Sequence, residues 1–330
     1  FYGLPMPKIT NKTARKGRSY HLYLGVDGGG TKTSVALMNE AKEVVAEGIG
    51  GPSNPLRVGV ETAVANIAKA IDAACDAGGV SRGDIVAATL GLAGVRRQDI
   101  RERVRESFAS RFRVRRVRVI TDADIALYGT TLGKAGIVVI AGTGSVCCGI
   151  NDKGEKAVAG GWGPVAGDEG GGRGIAGEAL HRVAKASDGR GPATMLSDSA
   201  ASYFRASNLE NLIGAIYAPQ MDNSRIAGFA RFVAETARKG DQIAIEILAD
   251  AGRELGTAAA AVITKLGLQD AAIPVGCVGS VFHAGELLTG PMKAVIKQVA
   301  PKAKLAEPLM PPSHAAALMA LENGNNGSGK

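Results

Sequence analysis

The chain has 330 residues, of which 45% are hydrophobic, and carries a formal net charge of +8. This length predicts about two domains of roughly 150 residues each, with ample apolar material for a core. No apolar run reaches the ~18 residues of a transmembrane helix, so we expect no membrane partner. Residues 1–20 hold five Lys or Arg and lack the apolar stretch of a secretory signal, which predicts a disordered basic leader.

Much of the remaining positive charge lies in residues 96–118, with ten Arg against three acidic residues. The run at 111–118 has the composition of a nucleic-acid contact, but a solvated helix followed by a strand edge is the favoured explanation. No zinc-finger or RNA-recognition signature accompanies the run, so we expect no nucleic-acid partner. The four cysteines form no C-x-x-C pair, which predicts free thiols in a reducing cytoplasm.

The chain begins, after the leader, with three predicted short strands at Leu22–Val26, Ser34–Met38 and Val44–Gly48. The first two flank the loop Asp27-Gly-Gly-Gly-Thr-Lys-Thr33. Glycines let backbone N–H groups approach a phosphate closely, because no Cβ stands in the way. A dinucleotide-binding loop would open a helix, and the Walker A spacing is absent. The loop therefore predicts a phosphate site of another kind.

Alternating helices and strands follow this start. The pattern predicts a helix at 60–77, a buried strand at 85–92, a charged helix at 99–112 and a strand at 116–121. Asp122 stands where the last of these strands ends, a position that suits a catalytic carboxylate. Asp124 is a rival for that role, and a helix N-cap is the structural alternative for Asp122.

The strand–loop–strand pattern then repeats, with strands at 136–141 and 146–150 around Gly142-Thr-Gly-Ser145. The repeat predicts two similar domains. Further along, the sequence predicts helices at 172–186, 226–239 and 241–266, a strand at 273–279 and a last helix at 314–321.

Five motifs occur in one order: Asp27–Thr33, Gly142–Ser145, Gly161–Gly163, Gly167–Gly170 and Gly279–Phe282. Together they resemble the N-acetylglucosamine kinase family, also called BadF/BadG/BcrA/BcrD ATPase-like, of the sugar kinase/Hsp70/actin superfamily. The resemblance covers residues 22–322. It implies an α/β fold of two actin-like (ribonuclease H-like) domains, each a mixed five-stranded sheet with helices, with ATP and sugar in the cleft between them.

The resemblance also implies a domain plan for the chain. We expect an N-terminal domain at 21–122, a C-terminal domain at 123–312, a final helix at 313–322 that packs back on the N-terminal domain, and a disordered tail at 323–330.

The resemblance assigns roles to individual residues. Asp27 is expected to hold Mg²⁺, and Asp122 to act as general base. The expected ATP contacts are Gly28, Gly29, Gly30, Thr31, Lys32, Thr143, Ala227, Gly279, Ser280, Val281 and Phe282. The expected sugar contacts are Asn54, Asp122, Ser145, Val146, Gly161, Trp162, Gly163 and Asp168.

The activity so implied is ATP-dependent phosphorylation of the C6 hydroxyl of N-acetylglucosamine, by a homodimer. Glucosamine, glucose, N-acetylmannosamine and N-acetylmuramic acid remain alternative substrates. An ATPase activator of a dehydratase or reductase is a second class, but it would use cysteines at a subunit interface, and these cysteines lie in apolar stretches. A sugar-sensing regulator is a third class, and the leader is too short for the helix-turn-helix expected of one.

Overall fold

The computed structural model describes residues 21–325, which form two compact units. The first unit comprises residues 21–132 and 308–325, and the second comprises residues 133–307. The sequence predicted the domain boundary at residue 122. In the structure, the helix that follows this residue belongs to the first unit. The predicted leader and residues 326–330 of the predicted tail lie outside the described residues.

Nine strands and α-helices form the N-terminal part of the first unit, with a short 3₁₀ helix at Arg82–Asp84 between the second helix and the fourth strand. In chain order they are β1 (Leu22–Gly28), β2 (Thr33–Met38), β3 (Val44–Gly50), α1 (Pro55–Val58), α2 (Val60–Gly78), β4 (Ile85–Leu92), α3 (Gln98–Phe112), β5 (Arg116–Thr121) and α4 (Asp122–Thr131).

The first unit contains a mixed five-stranded sheet with the order β3-β2-β1-β4-β5. The β1–β2 and β2–β3 pairs are antiparallel, whereas β4 runs parallel to both β1 and β5. The apolar runs of β1 and β4 are buried nearly throughout, because the sheet is covered on both faces. Parallel pairing brings the carboxyl ends of β1, β4 and β5 to one edge of the sheet, where Asp27 and Asp122 lie.

Twelve strands and α-helices form the second unit, with a short 3₁₀ helix at Ser280–Ala284 that precedes its last α-helix. They are β6 (Gly136–Ala141), β7 (Ser145–Ile150), β8 (Lys156–Gly160), α5 (Gly172–Ser187), α6 (Leu196–Phe204), α7 (Leu209–Ile216), α8 (Asn223–Ala227), α9 (Ala230–Arg238), α10 (Gln242–Lys265), β9 (Pro274–Val278), α11 (Glu286–Val299) and β10 (Lys304–Ala306).

The second unit also contains a mixed five-stranded sheet, with the order β10-β9-β6-β7-β8. The β6–β7 and β7–β8 pairs are antiparallel, as in the first unit, and β9 is parallel to β6. The long α10 is amphipathic, and its buried face joins the main core of this unit. The single helix predicted at 226–239 is wrong, because α8 ends at Ala227 and α9 begins at Ala230.

The last helix, α12 (Pro312–Asn325), packs on β1, β2, β4 and α4 of the first unit. The final helix was predicted to pack back on the N-terminal domain in this way. Its small residues Ala316, Ala317 and Ala320 are buried against the sheet. The helix continues to Asn325, so the predicted disordered tail begins too early at residue 323. Among the helices of residues 21–325, none has the length and apolarity needed to cross a membrane.

Gly25 lets α12 approach β1 this closely, and this position gives a stability prediction. A Cβ at Gly25 would lie 2.1 Å from the Ser313 carbonyl oxygen and 2.2 Å from the Ala317 nitrogen. Both atoms are backbone, so Gly25→Ala must displace the helix, and we expect a loss of about 3 kcal/mol in unfolding free energy. Urea denaturation measures this loss. The control is Gly29→Ala, whose Cβ would approach nothing closer than 3.7 Å; an equal loss in both variants would contradict the packing explanation.

Candidate functional site

The loop between β1 and β2 is a tight hairpin in the first unit. The Gly29 N–H donates to the Lys32 carbonyl oxygen at 3.0 Å, and the Ser53 and Asn54 N–H groups donate to the Gly29 carbonyl oxygen at 3.0 and 3.2 Å. Thr31 and Lys32 are exposed at the tip. The predicted phosphate loop is thus held by backbone bonds from its base, while a hydroxyl and an ammonium group remain available to a ligand.

Asn54 is tied to this hairpin and also begins α1. Its side-chain oxygen accepts from the Leu56 N–H at 3.0 Å, which is a helix cap. The side chain also lies against Gly94, where a Cβ would be 2.3 Å from Asn54 Oδ1. The local structure therefore explains Asn54 as a cap residue, and its predicted contact with sugar remains a prediction.

The two carboxylates that follow β5, Asp122 and Asp124, have different hydrogen-bond partners. Thr121 is the N-cap of α4, and Asp124 completes a capping box by accepting from the Thr121 N–H and hydroxyl at 3.2 and 2.7 Å. The Asp122 carboxylate accepts from the adjacent Ala123 N–H, at 3.0 Å, and from its own N–H. The helix start is therefore stabilised by Thr121 and Asp124, which leaves most of the acceptor capacity of Asp122 for another partner.

Asp27 and Asp122 influence each other electrostatically. Burial, together with the negative charge of Asp122, raises the pKa of Asp27 to about 6, and the positive charge of Lys32 opposes the shift. Burial also raises the pKa of Asp122, and the charge of Asp124 adds to this effect. Two desolvated carboxylates close together carry a negative charge that a cation or a proton can neutralise.

In the second unit, the loop between β6 and β7 is connected to the start of α5. The Gly172 N–H donates to the Gly142 carbonyl oxygen at 2.8 Å, and the Arg173 N–H donates to the Thr143 carbonyl oxygen at 2.9 Å. The Thr143 side chain is exposed. This loop repeats the arrangement of the first hairpin, with a rigid backbone and a threonine hydroxyl at the tip.

The predicted sugar residues of the second unit gather around Asp168. The backbone N–H groups of Ser145 and Gly163 hydrogen-bond its carboxylate and oppose the rise in its pKa that burial causes. Asp168 has a φ of 63°, and a Cβ at Gly144 would lie 2.3 Å from its Oδ2. The backbone strain at a non-glycine residue is typical of functional positions.

Other members of this group have structural contacts of their own. The Ser145 hydroxyl donates to the Glu169 carbonyl oxygen at 2.6 Å, and the Gly161 N–H donates to the Ser145 carbonyl oxygen at 2.9 Å. Val146 is the second residue of β7 and pairs with Gly160 of β8. Trp162, the only tryptophan of the chain, is 72% exposed, so it does not pack in the core.

A cavity of about 570 Å³ lies next to the second loop, within the ~300–1,000 Å³ range of small-molecule sites. Of the predicted ATP residues, it is lined by Thr143, Ala227, Ser280 and Val281. Phe282 packs partly buried against the core instead. The cavity is also lined by residues that the sequence did not predict, including Tyr203, Arg231, Glu235 and Arg238.

Family comparison agrees with this geometry. A family model described as the BadF/BadG/BcrA/BcrD ATPase family matches residues 24–321. The chain belongs to the BadF/BadG/BcrA/BcrD ATPase family. The family name implies that ATP is the nucleotide, and the predicted family is confirmed.

Two curated relatives are sugar kinases. The chain is 31% identical to the N-acetylmuramic acid/N-acetylglucosamine kinase of Clostridium acetobutylicum, across 86% of this chain and 92% of the relative. It is also 31% identical to the N-acetyl-D-glucosamine kinase of Dictyostelium discoideum, across 92% of this chain and 99% of the relative. With these relatives the predicted enzyme class, an ATP-dependent sugar phosphotransferase, is confirmed.

Solved structures share the fold. A Chromobacterium violaceum protein with the provisional name N-acetylglucosamine kinase superposes with a TM-score of 0.74 at 26% identity, covering 92% of this chain and all of that one. A ROK family glucokinase from Streptomyces griseus gives a TM-score of 0.58 at 18% identity, covering 91% and 98%, and shows the fold alone. The predicted fold class of two mixed five-stranded sheets with helices is confirmed.

Gly279 gives a prediction for nucleotide binding. Its φ is 119°, and a Cβ there would lie 2.2 Å from the Ala141 carbonyl oxygen. The next residue along the chain, Ser280, lines the cavity. We expect Gly279→Ala to raise the KM for ATP by about tenfold, because the segment that begins with Ser280 must shift. Steady-state kinetics with varied ATP measures the effect. Gly285→Ala is the control, since Gly285 has a φ of 69° but no atom within 4 Å of a Cβ; an equal rise in both variants would assign the effect to backbone strain.

Proposed function

We propose that this protein is an ATP-dependent amino-sugar kinase that phosphorylates the C6 hydroxyl of N-acetylglucosamine. Relatives named as kinases of N-acetylglucosamine, N-acetylmuramic acid and glucosamine support the substrate class. The observation that carries the proposal is the separation of roles after β5, where Thr121 and Asp124 cap the helix and Asp122 does not.

In the proposed reaction, the Asp122 carboxylate accepts the proton of the sugar hydroxyl as the hydroxyl oxygen attacks the γ-phosphorus of ATP, and ADP leaves. Phosphoryl transfer depends mainly on positioning and on charge stabilisation, so one carboxylate that orients the nucleophile is the essential protein group. The raised pKa of Asp122 makes it a stronger base than an ordinary aspartate, provided that it is ionised at the working pH.

We propose Asp27 as the Mg²⁺ residue. Burial and the nearby negative charge of Asp122 leave its carboxylate poorly neutralised, which is the chemistry that a hard cation satisfies. Within residues 21–325 no group of three or more His, Cys, Asp or Glu side chains forms a metal cage. Protein Mg²⁺ sites commonly use one or two carboxylates with substrate phosphates, so a single Asp27 ligand fits. The ion would neutralise charge on the transferring phosphate.

We assign the ATP contacts to the two glycine loops and the cavity of the second unit, and the sugar contacts to Asn54 and to the group around Asp168. Thr31, Lys32 and Thr143 present side chains at the loop tips. The size of the cavity and its position beside Thr143 support an adenosine site there. A homodimer, which the resemblance implies, stays a prediction.

A substrate panel tests the proposal. ADP release is measured by a coupled assay with N-acetylglucosamine, N-acetylmuramic acid, N-acetylmannosamine, glucosamine and glucose, each with and without Mg²⁺. We expect the highest kcat/KM with N-acetylglucosamine and no turnover without the metal. ADP release that does not depend on any sugar would contradict a kinase and favour an ATPase.

A further inference from the structure

The short helix α1 of the first unit lies against the tip of the loop between β1 and β2. The Arg57 Nη1 atom donates to the Gly30 carbonyl oxygen at 3.3 Å. A Cβ at Gly30 would lie 2.7 Å from that nitrogen and 3.4 Å from Arg57 Cδ. Building on the proposed function, we propose that Arg57 is a positioning residue of the kinase, which holds the peptide between Gly30 and Thr31 so that the Thr31 N–H faces the terminal phosphate of ATP.

The peptide between Gly30 and Thr31 is the part of the loop whose direction the base of the hairpin does not set. The N–H and the carbonyl oxygen of Gly29 are both hydrogen-bonded, which fixes the loop at its base. Glycine has more backbone freedom than any other residue, so the peptide that follows Gly30 can rotate. A peptide is planar and trans, so its carbonyl and its N–H point in opposite directions. A donor that fixes the Gly30 carbonyl therefore also fixes the direction of the Thr31 N–H.

The backbone of α1 is anchored to the same loop, so Arg57 approaches Gly30 from a fixed position. Asn54 caps the helix, and its own N–H donates to the Gly29 carbonyl oxygen at 3.2 Å. Pro55 is buried in the first turn, where its fixed φ suits a helix start. The Arg57 N–H donates to the Asn54 carbonyl oxygen at 3.0 Å. Between this anchor and the loop tip there is only the Arg57 side chain, whose stem packs against Gly30.

The contact with Arg57 also explains why residue 30 is a glycine. Gly30 is not among the described residues that have a positive φ, so backbone strain does not require glycine there. The close approach of Arg57 does require it, because a Cβ would displace the guanidinium. The neighbouring Gly29 differs, since a Cβ there would approach nothing closer than 3.7 Å.

The loop begins beside the carboxylates of the proposed reaction. Asp27 directly precedes the glycines, and it is close enough to Asp122 for their charges to interact. Because Asp122 is the proposed base for attack on the terminal phosphate, the loop that begins at Asp27 belongs to the same part of the reaction. N–H donors aimed at this phosphate stabilise the charge that develops during transfer. A loop peptide that loses its direction should therefore lower kcat, and not only the affinity for ATP.

Arg57→Ala tests the positioning role. We expect kcat/KM for ATP to fall by about tenfold, with most of the loss in kcat. Millimolar guanidinium should restore part of this kcat, which it would not do for a variant with a damaged fold. Arg103→Ala is the matched control, because it removes an exposed arginine from α3 and should keep the wild-type kcat/KM, with or without guanidinium.

Gly30→Ala disturbs the same contact from the other side. On its own it should also lower kcat/KM, because the new Cβ displaces the guanidinium. The double variant with Arg57→Ala should be no worse than Arg57→Ala alone, since residues that act through one contact are not additive. Losses that multiply in the double variant, or an Arg57→Ala enzyme equal to the wild type, would overturn the positioning role.

The direction of the loop peptide can also be followed without turnover. In ¹⁵N NMR of the full chain, the Thr31 amide signal should shift when Mg²⁺ and a non-hydrolysable ATP analogue are added. The shift should be at least halved in Arg57→Ala and retained in Arg103→Ala. If the wild type phosphorylates no sugar but shows this dependence on Arg57, the proposed function fails and the positioning role at the loop stands. If the kinase is active and the shift is equal in all three proteins, the positioning role alone fails.

Discussion

Asp122→Asn is expected to lower kcat by about 10²- to 10⁴-fold, the range typical of losing a general base. The asparagine keeps the size of the side chain but does not accept the proton of the sugar hydroxyl. The KM values for sugar and ATP should change little, because the lost interaction belongs to the transition state. Steady-state kinetics with N-acetylglucosamine at saturating ATP measures the change.

Asp124→Asn is the matched control, because Asp124 is the other carboxylate at this helix start. It accepts from the Thr121 N–H and hydroxyl, so its loss should reduce stability by about 1 kcal/mol through the cap. Its turnover should stay within a few-fold of the wild type. The reverse pattern, with Asp124→Asn inactive and Asp122→Asn active, would make Asp124 the base.

Asp27→Asn is expected to reduce activity and to increase stability. Activity should fall by about 100-fold, with a higher Mg²⁺ requirement, because the variant lacks the proposed anionic ligand. Stability at pH 8 should rise by about 1–2 kcal/mol, because the wild type must hold an ionised carboxylate in a partly buried site beside Asp122.

The sign of the pH dependence follows from the raised pKa of Asp27. In the unfolded chain the group titrates near 3.8, and in the folded protein near 6. Folding is therefore favoured by this group below pH 3.8, and this contribution is lost as the pH rises to about 6. The stability advantage of Asp27→Asn should grow across this interval and be constant above it. Urea denaturation of both proteins without metal at several pH values measures it; an advantage independent of pH would contradict the assigned cause.

Much of the fold could be predicted, because long apolar runs and glycine turns are local signals. Strands Ile85–Leu92, Arg116–Thr121 and Gly136–Ala141 occur with the predicted bounds. Strands β8 and β10 were not predicted, because five and three residues of weak pattern are stabilised mainly by pairing with β7 and β9.

The division between α8 and α9 depends on a tertiary contact. A Cβ at Gly228 would lie 2.3 Å from the Tyr203 hydroxyl oxygen, and that hydroxyl donates to the Arg225 carbonyl oxygen at 2.6 Å. Tyr203 is distant in sequence, so the helical periodicity of 226–239 gave no sign of the break. The same separation explains why Tyr203 and Arg238 were missed as cavity residues.

The part of the candidate site that lies in sequence motifs could be predicted. The glycine loops and Asp122 stand at strand ends that the pattern identified. The choice between Asp122 and Asp124 required hydrogen-bond geometry, because both follow the strand and both are carboxylates.

The position of the phosphate in the product tests the central claim most directly. The full chain is incubated with ATP, Mg²⁺ and ¹³C-labelled N-acetylglucosamine, and the product is analysed by ³¹P and ¹³C NMR. The proposed function predicts phosphorus–carbon coupling at C6 and C5 of the sugar, with one ADP formed for each phosphorylated sugar. Coupling at C1 and C2, or ADP with no phosphorylated sugar, would contradict it.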